Sequence, residues 1–188
     1  VAETVYGRSD GRIMGLNTEM EYVRTVTGAG IGGDVAFTPV AEADMAFAPG
    51  TYWVRYAEKR NANASDAVEV VIGQGDRLKV AVPAQEQQVG YSMSVEDTVV
   101  EKGGLAWHES ATVTFTLQKG YSKITDAESG DFAIRLNGNA VDMAEAGTDG
   151  DGGIVYTYTV EKAETDSIFT VEGVADITAP TGEILFSE

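Results

Sequence analysis

His108 is the only histidine in the chain, and cysteine is absent. Those two counts limit the chemistry at once. Zinc centres built from His and Cys lack their ligands, and there is no thiol nucleophile. Ser110 and Asp97 lie near His108, so a Ser–His–Asp relay can be written down. The spacing fits no nucleophile elbow, however, and Gly-x-Ser-x-Gly does not occur. The plainer reading is a loop histidine beside Trp107. Asp142, Asp149 and Asp151 offer the hard oxygens that calcium prefers, but the EF-hand spacing with its closing Glu is not met. Thr148-Asp149-Gly150-Asp151-Gly152-Gly153 reads more simply as an acidic hairpin turn. Gly28-Ala29-Gly30-Ile31-Gly32-Gly33 is followed by no helical pattern and sits in no βαβ unit, which makes it a loop rather than a nucleotide cradle. No catalytic residue, metal or cofactor is expected, and the chain does not read as an enzyme.

Flat aromatic side chains suggest a second chemistry. Trp53, Trp107, Tyr91 and Tyr121 could stack on pyranose faces while neighbouring acids bond the hydroxyls. Trp107 stands in Gly103-Gly104-Leu105-Ala106-Trp107-His108-Glu109, which reads as a loop, and is the first choice. Trp107, His108 and Trp53 are therefore the candidate ligand-contact residues, against the plainer reading of indoles packed in a core or under a loop. An intramolecular Lys–Asn isopeptide bond is disfavoured: Lys79 alternates outward between Leu78 and Val80, and Lys119 lies at a strand end.

Any such site must be carried by strands, because helical periodicity is nearly missing. The one helical candidate runs from Ala140 to Ala146. Strand patterns dominate instead. Ala48-Pro49-Gly50 turns into Thr51 to Ala57, with Tyr52, Val54 and Tyr56 on one face and Trp53 and Arg55 on the other. Met20 to Arg24 alternates likewise. Ala67 to Ile72 and Arg77 to Val82, separated by Gly73-Gln74-Gly75-Asp76, read as a hairpin closing a first module. A second series comprises Tyr91 to Val95, Ala111 to Leu117, Phe132 to Leu136, Ile154 to Val160 and Ile168 to Val171. Asn137-Gly138 signals a type I′ turn. Short strands at this spacing imply an antiparallel sandwich or barrel, with Phe115 in the core.

The composition is that of a globular protein, 43% hydrophobic and 23% charged. The net charge of −17 makes nucleic acid and anionic membrane surfaces poor partners. No apolar run approaches the ~18 residues of a membrane-spanning helix. Charge is uneven: residues 1–88 carry twelve acids and eight bases, residues 89–176 sixteen acids and five bases. That shift coincides with the polar Pro83-Ala84-Gln85-Glu86-Gln87-Gln88 stretch. It suggests a module at 1–83, a linker at 84–90, a second module at 91–176 and, at 177–188, the start of a following module or a tail.

Asp10-Gly11-Arg12-Ile13-Met14-Gly15-Leu16-Asn17-Thr18-Glu19-Met20-Glu21-Tyr22, with Phe47 to Tyr56 and Asn63-Ala64-Ser65-Asp66-Ala67, resembles a repeat module of Gram-positive, often gut-dwelling, bacteria. That module belongs to their large surface and secreted proteins and looks like a fibronectin type III or immunoglobulin-like domain. Gly120 to Lys123, Asp131 to Gly138 and Phe169 to Asp176 look like a companion module, and Thr178-Ala179-Pro180-Thr181 like the joint between modules. The resemblance implies an all-β chain of two immunoglobulin-like or fibronectin-like antiparallel β-sandwiches in tandem. It implies a piece of a longer extracellular protein, secreted or attached to the cell wall. The role it implies is structural, adhesive or spacing, with neighbouring domains, and a glycan or a host or wall component, as partners. A carbohydrate-binding accessory module is the alternative. The chain departs from the module in the longer glycine-rich stretch Thr27 to Asp34 and in the longer turn at Asp149 to Gly153.

Overall fold

A computed structural model describes residues 1–25, 30–31, 35–125 and 130–177. The glycine-rich stretch from Thr27 to Asp34 falls largely outside the described residues, as does the tail after Ile177. Among the described residues the chain is all-β apart from one short helix and a 3₁₀ turn, and it divides into two compact units, Val1–Leu78 and Lys79–Glu188.

The first unit is built on one antiparallel sheet. Its strands are β1 (Met20–Thr25), β2 (Thr38–Pro39), β3 (Gly50–Tyr56) and β4 (Val68–Ile72), in the order β2-β1-β3-β4. The alternation read in β3 holds at its centre: Tyr52 and Val54 are buried, while Trp53 and Arg55 face the other way and are half-buried. Tyr56, the third of that inward set, is exposed at the strand end. The core comprises Ile13, Leu16, Val40, Phe47, Tyr52, Val54 and Ile72. Its second layer is therefore irregular chain, supplied by residues before β1 and between β2 and β3. Residues 1–12 bond to the segments that precede β3 and follow β4. Gly11 bridges Phe47, and the Glu3 N–H reaches the Gly73 carbonyl.

Glu3 is a buried carboxylate, and backbone amides satisfy it. Its Oε1 accepts from the N–H groups of Gly7 at 3.0 Å and Gly75 at 3.3 Å, and its Oε2 from Ser9 at 2.9 Å. This one side chain ties the N-terminal segment to the segment after β4. The Thr4 hydroxyl and amide then hold the Asp10 carboxyl below its ordinary value of 3.8.

The turn into β3 is closed by side chains. Arg24 donates to the Pro49 carbonyl, and the Tyr52 hydroxyl donates to the Ala48 carbonyl at 2.8 Å. Gly50, at φ +152°, leaves room for the guanidinium: a Cβ there would lie 2.8 Å from Arg24 Nε.

The second unit has two four-stranded sheets. One contains β6 (Tyr91–Val95), β7 (Ala111–Leu117), β11 (Ala144–Thr148) and β12 (Ile154–Val160), ordered β11-β12-β7-β6. The other contains β5 (Val80–Ala81), β9 (Ala133–Leu136), β10 (Asn139–Ala140) and β13 (Ser167–Glu172), ordered β10-β9-β13-β5. β8 (Tyr121–Lys123) pairs with β14 (Val174–Asp176). Ring contacts Phe115–Phe132 at 5.8 Å and Tyr158–Phe169 at 5.9 Å join the layers into a sandwich. Phe115 is fully buried, as its alternation predicts. Asn137 and Gly138 both have positive φ, 50° and 83°, as the type I′ turn between β9 and β10 requires.

Three expectations are corrected. Arg77 to Val82 does not fold back on β4; β5 pairs in parallel with β13, 87 residues away by the Ser167–Val80 match. The expected linker at 84–90 lies within the second unit, where Gln88 bonds to Met93 and Gly90 accepts from Gln118 N–H. The expected helix from Ala140 to Ala146 is absent; Ala144 onward forms β11 against β12. Helix α1 is instead Asp97–Lys102. Asp97 stands in its first turn, Lys102 in its last, and Gly103 and Gly104 N–H groups close its end on Val100 and Val99.

Two predictions follow from the cores. Phe115→Ala should destabilise the second unit by about 3–5 kcal/mol in denaturant unfolding, with a full-stability variant counting against this register. Burial raises the phenol of Tyr52, and likewise that of Tyr91, above the ordinary 10.0. The folded state thus favours the protonated phenol. The resulting stability is intact below about pH 10 and is lost as pH rises through the raised folded value. Unfolding curves recorded across that range should fall in midpoint, and Tyr52→Phe should blunt the fall in the first unit.

Candidate functional site

The loop nominated by Trp107 lies between α1 and β7 and is locked to the segment joining β12 to β13. His108 N–H donates to the Ala163 carbonyl at 2.9 Å, and Ala163 N–H donates to the Glu109 carbonyl at 3.0 Å. These bonds hold His108 at φ +61°, in the left-handed region that a histidine enters at a cost of about 1 kcal/mol. The imidazole stacks on Trp107 with ring centroids 4.7 Å apart and planes inclined by 25°. Its Nε2 meets Glu164 Oε1 at 2.9 Å. Glu109 completes the lock, accepting from Ala106 N–H at 2.8 Å and pairing with Lys102 at 2.7 Å.

This arrangement dissolves the Ser–His–Asp possibility. Ser110 Oγ donates to Glu161 at 3.4 Å and accepts from Lys162 N–H at 3.1 Å, while His108 meets a different acid. Asp97 opens α1. Trp107 is half-buried, with one aromatic face taken up by His108, and the imidazole is exposed. A ligand reaching this loop would meet the His108 edge and the Glu164 carboxylate before the indole.

Trp53 is placed differently. It lies in the other unit, on the face of β3 opposite the core, across from Val23 of β1 and Glu69 of β4. Its Nε1 is covered and makes no hydrogen bond to a described residue. A covered indole N–H has nothing to offer a sugar hydroxyl. Tyr91 is buried, stacked on Phe115 at 5.3 Å, and Tyr121 lies against Gly90, where a Cβ would sit 2.1 Å from its ring. These two tyrosines are packing elements.

Asp149 is occupied by its own turn: Oδ1 accepts from Asp151 N–H at 3.0 Å and Gly153 N–H at 2.6 Å. Among the described residues, no three His, Asp or Glu side chains gather as a metal site would require. Lys123 Nζ lies 3.9 Å from the Tyr156 ring centroid and 4.9 Å from that of Phe132, beside a hollow of about 210 Å³.

Sequence reasoning overlooked an apolar cavity of about 400 Å³ in the first unit. Ile13, Met14, Leu16, Tyr56, Val68 and Val70 line it, with Ser65 and Asp66 at its rim. The available signal was the apolar pair Met14 and Leu16, in a segment with no strand period of its own. No protein-family model matches the chain, and comparison with curated proteins and with solved structures returned no significant match.

The backbone at His108 yields an ordered prediction. Removing the side chain loses the Trp107 stack and the Glu164 contact in either variant, but only glycine tolerates φ +61° freely. His108→Gly should therefore melt higher than His108→Ala, by an amount on the order of 1 kcal/mol. The reverse order in calorimetry would show that the loop does not hold this conformation.

Proposed function

We propose that this chain is a non-catalytic stretch of a larger bacterial surface or secreted protein, formed by two modules of immunoglobulin-like or fibronectin-like kind that serve spacing, display or adhesion. One observation carries the reading: the side chains that could do chemistry are spent on holding the backbone. Glu3 binds three backbone amides, Asp149 two, and Glu109 an amide and a lysine, while His108 is tied down by Glu164 and Ala163. Residues recruited in this way maintain shape, and maintained shape is what a spacer supplies. No helix among the described residues is long and apolar enough to cross a membrane. The acidic surface suits an extracellular, hydrated setting.

The second reading is a carbohydrate-binding accessory module, favoured by the stacked Trp107–His108 pair beside an exposed Glu164. Affinity electrophoresis in gels containing plant, mucin or cell-wall polysaccharides separates the two. A spacer migrates at the same rate in every gel. Retardation by any polysaccharide, abolished in Trp107→Ala, would replace the spacer reading with the glycan-binding one.

A further inference from the structure

The core face of the first unit's sheet runs on past its buried cluster. Met20, Val54, Tyr56, Val68 and Val70 share that face by strand register: Met20 lies opposite Tyr56, and Val54 opposite Val68. The irregular layer turns at Met14-Gly15, which leaves Ile13 and Leu16 buried in the core and Met14 outside it. The apolar cavity of about 400 Å³ is lined by this turn and by the sheet. It has a buried floor and an open mouth. Ile13, Leu16 and Val54 form the floor, whereas Met14, Tyr56 and Val68 are 79%, 47% and 64% exposed and form the mouth.

Small-molecule sites occupy about 300–1,000 Å³, and this volume falls among them. Water in an apolar hollow finds few partners, so an apolar group gains by displacing it. The polar groups of the lining decide the kind of ligand. The Ser65 hydroxyl is already spent: it accepts from Tyr56 N–H at 3.0 Å and donates to the Asp66 carbonyl at 3.0 Å. Arg55, the lining's one cation, faces the other side of the sheet, where it pairs with Glu21 at 2.6 Å and lies 3.8 Å from the Phe37 ring centroid. Asp66 is the lining's one anion. It is exposed and enters no ion pair among the described residues. A cation at the mouth therefore finds the Asp66 carboxylate, with the Tyr56 ring and the Met14 thioether as polarisable neighbours. The net charge of −17 draws cations to the chain and repels anions.

We propose that this cavity is a binding site for a small organic monocation, an ammonium group on an apolar or aromatic body. The body rests on the floor of Ile13, Leu16 and Val54, and the ammonium stays at the wet mouth beside Asp66. Met14, unbranched and exposed, adjusts to the shape of the body. A ligand carboxylate would meet Asp66 as a like charge and is excluded. The site goes beyond the spacer and glycan readings, which use neither the cavity nor Asp66.

Three probes with one apolar body and different heads test this on the whole chain: 4-phenylbutylammonium, 4-phenylbutanol and 4-phenylbutyrate. All are titrated at one low ionic strength of about 50 mM. Spectra of ¹³C-methyl methionine report the place, because Met14 and Met20 line the cavity whereas Met93 and Met143 belong to the second unit. The ammonium should shift the Met14 and Met20 signals and leave those of Met93 and Met143 in place, with Kd on the order of 0.1–1 mM. The alcohol should bind roughly twofold to fivefold more weakly, and the carboxylate at least about tenfold more weakly. Asp66→Asn changes an exposed side chain and should lower the ammonium to the alcohol's affinity, with the alcohol itself unaffected. Met14 and Met20 signals unmoved by about 10 mM ammonium probe, a Kd beyond reach of the expected range, would overturn the proposal. So would equal shifts at Met93 and Met143, a carboxylate that binds as well as the ammonium, or an Asp66→Asn chain that still prefers the ammonium.

Discussion

Each unit is organised around a buried tyrosine that closes the start of its own strand. Tyr52 is the second residue after Gly50 in β3, and its hydroxyl reaches back four residues to Ala48. Tyr91 opens β6 and reaches back four residues to Gln87, at 3.4 Å. In both cases the ring enters the core; the Tyr52 hydroxyl satisfies the Ala48 carbonyl, while the Tyr91 hydroxyl adds to a Gln87 carbonyl that also accepts from Val89 N–H. The first unit depends on this device most. With a single sheet, it must hold an irregular second layer, and the rings of Tyr52, Phe47 and Tyr22 form the joint. Phe47 lies 5.0 Å from Tyr52 and 5.2 Å from Tyr22, edge-on in both contacts. Phe47 itself comes from the irregular layer, so this cluster fastens the loop layer to the sheet.

The polar side chains follow the same logic. Irregular chain cannot pair its amides in a ladder, so side chains must supply acceptors. Glu3 does so for the segment around Gly7 and Ser9, and Asp149 for the turn before β12. Where a ladder pairs the amides, strands such as β6, β7 and β12 hold only apolar and hydroxyl side chains. The acidic residues thus include structural acceptors at turns, a strand-borne partner of arginine (Glu21 with Arg55) and a more solvated remainder.

Much of the strand pattern was legible because period-two alternation is a local property. β6, β7 and β12 begin and end where their alternation does, and β1, β3, β4, β9 and β13 lie within a residue or two of it. The errors arose where local pattern and long-range pairing diverge. Arg77 to Val82 looks like the partner of Ala67 to Ile72 because four turn residues separate them; its hydrogen bonds go to Ser167 and Ile168 instead. Ala140 to Ala146 has helix-favouring alanines, yet β12 offers an open edge that Ala144 to Thr148 fills. α1 was missed because a helix of six residues shows less than two turns of periodicity. The Trp107 loop was correctly read as a loop, but its lock through His108, Glu109 and Ala163 depends on a segment more than fifty residues away.

The sequence alone determined the all-β class, the strand faces, the core position of Phe115 and the type I′ turn at Asn137-Gly138. Each rests on neighbours a few residues apart, which alternation and backbone preference encode directly. The tertiary structure alone decided that the described residues of the first unit form one sheet with an irregular cover, that β5 belongs to the second unit, and that the Trp53 indole N–H is covered. Those features depend on which distant segments meet. Burial and pairing are properties of contacts across the whole chain, and no local pattern records them.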